Sequence, residues 1–394
     1  MVNVLNDYLI RELDELHRKK LFRPLRVLDG QQLPECIVDG KPVINLASNN
    51  YLGLNTRPEL VEAAVRATEK YGVGSGAVRT LAGTMKIHME LEERIAQFKN
   101  VEVCVVFQSG FTANAGTVSA ILGKEDVIIS DELNHASIID GCRLSRAEIR
   151  IFPHKDLAAL ERTLHDLRSW PGKKLVITDG VFSMDGDIAP LPRIIELAAA
   201  HGTIMMIDDA HASGVLGRNG RGTVDHFGMH GRVDIQVGTL SKAIGSLGGY
   251  VCGSRALVDY LHHRARPFLF STSHPPAVAA SCIAAFDLLE REPELIERLW
   301  SNTRFFKQGL ARLGFNTGVS ETPITPVIVG RGDLAMRLSD ELFQEGVFAP
   351  GIGYPTVPEA KSRIRTIVTA THSEAQLQFA LNCLEKVGKS LGII

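Results

Sequence analysis

Thr203-Ile204-Met205-Met206-Ile207-Asp208-Asp209-Ala210-His211, followed by Ile235-Gln236-Val237-Gly238-Thr239-Leu240-Ser241-Lys242-Ala243-Ile244-Gly245, decides how this chain is read. Each stretch opens with a short, continuously apolar run and ends in small, polar or charged residues. Runs without polar alternation suit strands buried on both faces. The same pattern extends outward on both sides. Strand candidates are Val103–Phe107, Val127–Ser130, Arg150–Phe152, Leu175–Thr178, Thr203–Ile207, Ile235–Gly238 and Gly249–Val251, and helical patterns at 86–99, 112–122, 156–168 and 190–201 fall among them. Strands alternating with helices predict an α/β fold built on a mostly parallel sheet sandwiched by helices.

Beyond about residue 286 the pattern changes. A long helical stretch at 286–313 precedes a strand at Thr325–Val329, a helix at 333–345, a strand at Arg363–Ala370 and a final helix at 374–391. The expected division is an N-terminal helix and short strand segment (1–50), a large domain (51–285) and a smaller α+β C-terminal domain (286–394). Residues 4–20 read as an amphipathic helix with Leu5, Leu9, Leu13 and Leu16 on one face, and Val43-Ile44-Asn45-Leu46 as a short strand. There is no repeat and no low-complexity linker.

The composition is that of a globular protein, with 45% hydrophobic and 22% charged residues over 394 positions. A formal net charge of −2 gives no reason to expect nucleic acid or an anionic membrane as a partner. Six scattered cysteines without a Cys-x-x-Cys pair read as buried free thiols of a cytoplasmic protein. No signal peptide or membrane-spanning run is expected.

Four motifs fall at predicted strand ends, where ligands bind in open α/β sheets. Gln108-Ser109-Gly110-Phe111 leads from a strand into a helix, and backbone N–H groups at a helix start suit an anion. The same residues also suit an ordinary strand-to-helix turn. Asp208 with His211 three residues on offers a buried carboxylate beside an imidazole; a helix N-cap and a surface histidine would show the same spacing. Asp-x-x-His lacks the further ligands of a zinc site, so no metal is expected. Leu133-Asn134-His135-Ala136-Ser137 brings a histidine that can stack on a flat ring, or serve only structure. Lys242 sits in Thr-x-Ser-Lys-x-x-Gly, an unusual setting for a solvated surface lysine. Together these suit pyridoxal phosphate (PLP): an amine to form a Schiff base, a carboxylate for the ring nitrogen, and donors for the phosphate. Two rivals fit less well. Gly72-Val73-Gly74-Ser75-Gly76-Ala77 partly matches a dinucleotide fingerprint but follows a helical pattern, and no Walker-type phosphate loop is present.

At these residues the chain resembles the α-oxoamine synthase family of fold-type I PLP enzymes. The match also takes in Asn49-Asn50-Tyr51-Leu52-Gly53, Gly74-Ser75-Gly76, Asp131-Glu132-Leu133-Asn134-His135-Ala136-Ser137 and Asp179-Gly180-Val181-Phe182-Ser183-Met184-Asp185-Gly186, and it covers nearly the whole chain. The resemblance implies that Lys242 carries PLP and later takes the substrate α-proton. It implies that Ser109, Gly110, Phe111 and Thr239 cradle the phosphate, that His135 stacks on the ring, that Asp208 pairs with the ring nitrogen, and that His211 and Ser183 lie near the ring hydroxyl. Thr272 and Ser273 would reach the phosphate of a second protomer, making a homodimer with shared sites. Arg365 would hold the substrate carboxylate with help from Asn50, and Arg23 would meet the acyl substrate.

Within the family the nearest resemblance is to glycine C-acetyltransferase, which joins glycine to acetyl-CoA in threonine catabolism. The stretches that carry it are Gly222 to Phe227, Gly238 to Gly245, Arg266 to Ser273 and Arg363-Ile364-Arg365-Thr366. Tyr354-Pro355-Thr356-Val357-Pro358 instead resembles the 8-amino-7-oxononanoate synthases, where this threonine contacts substrate. The alternative is therefore a decarboxylating condensation of L-alanine with pimeloyl-CoA or a pimeloyl carrier protein, in biotin biosynthesis. Readings from other classes are a non-catalytic partner subunit, which the presence of Lys242 opposes, and a nucleotide-binding α/β protein without PLP.

Overall fold

The computed structural model describes residues 3–19, 22 and 24–394. Its centre is a seven-stranded sheet. From one edge to the other the strands are Val103–Phe107, Gly249–Gly253, Ile235–Thr239, Ile204–Asp208, Lys174–Asp179, Val127–Asp131 and Glu148–Phe152. Only Gly249–Gly253 runs antiparallel to its neighbours; the remaining pairs are parallel. All seven predicted strands are present. They read as unbroken apolar runs because helices cover both faces. Val105, Ile128, Ile177 and Val237 pack under one layer, while Ile129, Val176, Met205 and Ile207 pack under the other. Burying each such side chain contributes about 1.5–3 kcal/mol, which outweighs the weak local preferences of five-residue segments.

The second sheet joins Ile324–Ile328, Arg363–Ile367 and Gly351–Ile352 in antiparallel fashion, with helices Glu294–Leu313, Gly332–Gln344 and Glu374–Ser390 packed around it. The strands Leu28–Asp29, Glu35–Val38 and Lys41–Asn45 form a third sheet, whose last member pairs in parallel with Val347–Phe348. The N-terminal segment is thereby tied to the C-terminal part of the chain.

The single helix expected over 286–313 is two helices, Pro276–Arg291 and Glu294–Leu313. Pro293 lies between them, and a proline cannot donate the N–H that a continuous helix needs there. The N-terminal helix runs Val4–Arg18 and leaves Leu5, Leu9, Leu13 and Leu16 exposed. All six cysteines are buried and free. Among the described residues no helix is long and apolar enough to cross a membrane.

Candidate active site

The carboxyl ends of the central strands open onto a cavity of about 710 Å³. Lys242, His135, His211, Ser183, Arg365 and Thr356 all line it, although they lie far apart in the sequence. Lys242 follows directly after the strand Ile235–Thr239. Burial pulls its amine down to about 8 against the opposing charges of Asp208 and Asp179, with Arg365 adding to the fall. A large fraction of a lysine poised this way is neutral near pH 8, which is the nucleophilic and basic form.

Asp208 ends its strand and is buried. Its Oδ1 accepts from Ala210 N–H at 2.8 Å and its Oδ2 from Asn114 Nδ2 at 2.6 Å. Asp179 is its register partner on the next strand. Burial and the neighbouring Asp208 raise the Asp179 carboxyl well above its usual range, and it accepts the His135 N–H at 2.8 Å. His211 Nδ1 hydrogen-bonds Tyr51 Oη at 2.8 Å. Burial, followed by the cations Lys242 and Arg365 and by His135, holds His211 well below its ordinary value, so its ring is neutral. Arg365 donates to the Ser183 carbonyl at 3.1 Å and to Asn49 Oδ1 at 2.9 Å. A guanidinium has five N–H donors, so several remain for a carboxylate in the cavity.

Ser109 caps the helix Gly110–Ile121. Its Oγ accepts from Thr112 N–H at 3.1 Å, and Thr112 Oγ1 accepts from Ser109 N–H at 2.9 Å. The Gly110 and Phe111 N–H groups open that helix and have no carbonyl one turn behind them. The Gly110 backbone lies against Thr239, where a methyl group would still make an ordinary contact at 3.4 Å. The residues present therefore fit PLP: a depressed buried amine, a strand-end carboxylate and a helix start with spare donors.

Other expected contacts lie differently. Asn50 donates to Asn55 rather than meeting Arg365, and the neighbouring Asn49 is the asparagine that does. The Thr272 carbonyl accepts from Gln108 Nε2 of the same chain at 2.8 Å, and Ser273 Oγ lies 2.6 Å from Ser75 Oγ. Arg23 lies outside the described residues. Sequence reading assigned no role to Tyr51, Asn114 or Asp179. Tyr51 and Asp179 do stand inside the quoted motifs, whereas Asn114 looks like any mid-helix residue until the fold brings it to Asp208.

His154 was also silent in the sequence. Its ring bridges Asp131 Oδ1 and Asp187 Oδ2, each at 2.9 Å, and so clamps the loop that carries Ser183. Burial works against its charge, yet the two carboxylates push it up to about 9. A folded-state value above the unfolded one gives stability that is complete below about pH 6.5 and lost as pH rises towards 9. The Tm difference between wild type and His154→Gln is therefore expected to shrink steadily from pH 6.5 to 9.5. A constant difference over that range would sink the ion-pair account.

The profile of the family described as aminotransferase class I and II matches residues 41–384. The chain belongs to that family. Among curated proteins, the 8-amino-7-oxononanoate synthase of Symbiobacterium thermophilum is 60% identical over 390 residues, covering 99% of this chain and all of that protein. The 8-amino-7-oxononanoate synthase of Thermoanaerobacter pseudethanolicus is 57% identical over 388 residues and covers 98% of each chain. Among solved structures, a serine palmitoyltransferase from S. paucimobilis with bound PLP–myriocin superposes with a TM-score of 0.94 at 33% identity, covering both chains fully. The chain is a PLP-dependent enzyme of acyltransferase type with a fold-type I architecture, and its relatives are α-oxoamine synthases.

One expectation is corrected. Full-length similarity to 8-amino-7-oxononanoate synthases overturns the glycine C-acetyltransferase reading and, with it, threonine catabolism and a specific use of glycine. The motifs that suggested it bind the features shared across the family, so they could not separate its members. The departure at Tyr354 to Pro358 was the more telling signal, and Pro355, Thr356, Val357 and Pro358 line the cavity.

Proposed function

We propose that this protein condenses L-alanine with a pimeloyl thioester, releasing carbon dioxide and the thiol and forming 8-amino-7-oxononanoate. The full-length likeness to the curated 8-amino-7-oxononanoate synthases carries this reading. The cavity supports it, because Leu133, Ile139, Phe182 and Val357 give it apolar wall for methyl and methylene groups.

Bound PLP would supply an electron-accepting ring that makes the α-proton of an attached amino acid removable. The chain's own groups do the rest. Lys242 Nζ would hold the cofactor, and its depressed amine would serve as the base for the α-proton. Asp208 would hold the ring nitrogen and favour its protonated form. His135 would cover one face of the ring, and His211, neutral and hydrogen-bonded to Tyr51, would serve the ring oxygen. The Gly110 and Phe111 N–H groups, with Ser109 and Thr239, would hold the phosphate. Arg365 orients the amino-acid carboxylate, and Thr356 faces the acyl donor.

A homodimer is part of this proposal, with Thr272 and Ser273 serving the partner's phosphate. The exposed side chain of Phe270 and the uncovered leucines of the N-terminal helix support a second copy.

The direct test is thiol release from pimeloyl- and acetyl-CoA with L-alanine and with glycine. Alanine with pimeloyl-CoA is expected to turn over fastest, with carbon dioxide evolved in equal amount. Turnover confined to acetyl-CoA would end the proposal. Arg365→Ala is expected to raise KM for alanine by about 10²-fold, since a charge-assisted fork is lost from a half-buried site. An unchanged KM for alanine would remove Arg365 from substrate binding.

A further inference from the structure

Asn114 is fully buried inside the helix Gly110–Ile121, where an alanine would favour the helix more. Its Nδ2 makes two hydrogen bonds, to Asp208 Oδ2 at 2.6 Å and to Ser137 Oγ at 2.9 Å. The orientation of the amide follows from chemistry. An ionised carboxylate only accepts, so the atom facing Asp208 is the nitrogen. That leaves Asn114 Oδ1 buried with no hydrogen-bond partner. A buried orphan acceptor costs stability, so packing alone gives no reason for an asparagine here.

The two bonds reach both groups that would flank a cofactor ring. On one side, Asp208 has one oxygen held by Asn114 and the other by Ala210 N–H, so the plane of the carboxylate is set. On the other side, Ser137 Oγ accepts from Asn114 and turns its own O–H towards His135 Nδ1, 2.7 Å away. Ser137 N–H points at the same ring nitrogen at 3.2 Å. With two donors converging on it, His135 Nδ1 carries no proton, and the neutral ring keeps its proton on Nε2.

We propose that Asn114 is a positioning residue that sets, through one amide nitrogen, both the orientation of the Asp208 carboxylate and the tautomer of His135. The inference rests on the reading of Asp208 and His135 as the groups that meet PLP. Its chain, Asp208–Asn114–Ser137–His135, joins the end of one strand to the starts of two helices. It thus links the group that tunes the ring nitrogen to the group that covers the ring face.

The test needs three proteins, wild type, Asn114→Ala and Ser137→Ala, and two readouts besides turnover. The first is ¹⁵N NMR of histidine-labelled apoprotein, with His135 assigned through His135→Phe. The second is PLP affinity together with the pH midpoint of the visible band. Wild type is expected to show a single His135 tautomer with its proton on Nε2. Asn114→Ala is expected to weaken the His135 Nε2–H preference measurably, with Ser137 N–H still opposing the other tautomer, to weaken PLP binding about tenfold and to move the midpoint by about one pH unit. Ser137→Ala is expected to disturb the tautomer while leaving PLP affinity within about threefold, because the bond from Asn114 to Asp208 persists.

An Asn114→Ala protein that loses only thermal stability, with tautomer, affinity and midpoint unchanged, overturns the proposal. If Asn114→Ala does not fold, an unchanged His135 tautomer in Ser137→Ala overturns it as well. Failure of the cofactor-site reading looks different: wild type would then give no visible band with PLP, whatever the tautomer in the apoprotein.

Discussion

Lys242→Ala is expected to lower turnover by about 10⁴-fold or more, because one amine serves both as the covalent anchor and as the base. The variant should fold normally. The Lys242 side chain projects into the cavity and makes no hydrogen bond among the described residues, so removing a buried amine relieves desolvation instead of opening a core. PLP should no longer be fixed to the protein by borohydride, and the visible band of the wild-type protein should be lost or displaced. Added primary amines should restore a small part of the proton transfer. Near-normal turnover in Lys242→Ala would leave the proposed chemistry without its central group.

Lys99→Met is expected to cost roughly 3–5 kcal/mol, the usual penalty for stranding one member of a buried ion pair. Lys99 and Asp209 are both fully buried, with Lys99 Nζ 2.8 Å from Asp209 Oδ2 and 2.6 Å from the Arg221 carbonyl. Asp209 follows Asp208 directly, and it also accepts from Thr223 N–H at 3.1 Å. The pair therefore anchors the turn that follows Asp208 and carries His211 to the cavity. The fit around it is tight. Gly222 has φ +102°, and a methyl group there would lie 2.1 Å from Asp209 Oδ2 and 2.6 Å from Lys99 Nζ. Methionine matches the stem of lysine but leaves a bare carboxylate in the core. Neutralising that carboxylate as well, in Lys99→Met with Asp209→Asn, should recover more than half of the loss. Denaturant unfolding of the PLP-loaded protein provides the measurement. A single variant within about 1 kcal/mol of wild type would mean that the pair does little to hold the turn.

These two lysines show how unevenly a site can be read from sequence. Lys242 stood out because hydroxyls and glycine surround it, a composition with little use on a surface. Lys99 closes an amphipathic helix and looks like any terminal lysine. Only its burial against a residue more than a hundred positions away gives it a role. Asn114 and His154 belong with Lys99. Each is ordinary in its own element, and each matters through a partner elsewhere in the fold. Arg365 falls between these cases: the motif marked it, but the fold assigned Asn49, rather than Asn50, as its neighbour.

The sequence by itself determined the seven central strands, their alternation with helices and the chemical types gathered at the strand ends. Apolar periodicity and strand-end polarity are local properties of the chain, written within five to ten residues. The tertiary structure decided which side chains share the cavity, which carboxylate is raised and which amine is lowered, and where a buried pair braces the turn. Those outcomes depend on distances and on exclusion of water, and both arise only when segments far apart in the sequence are packed together.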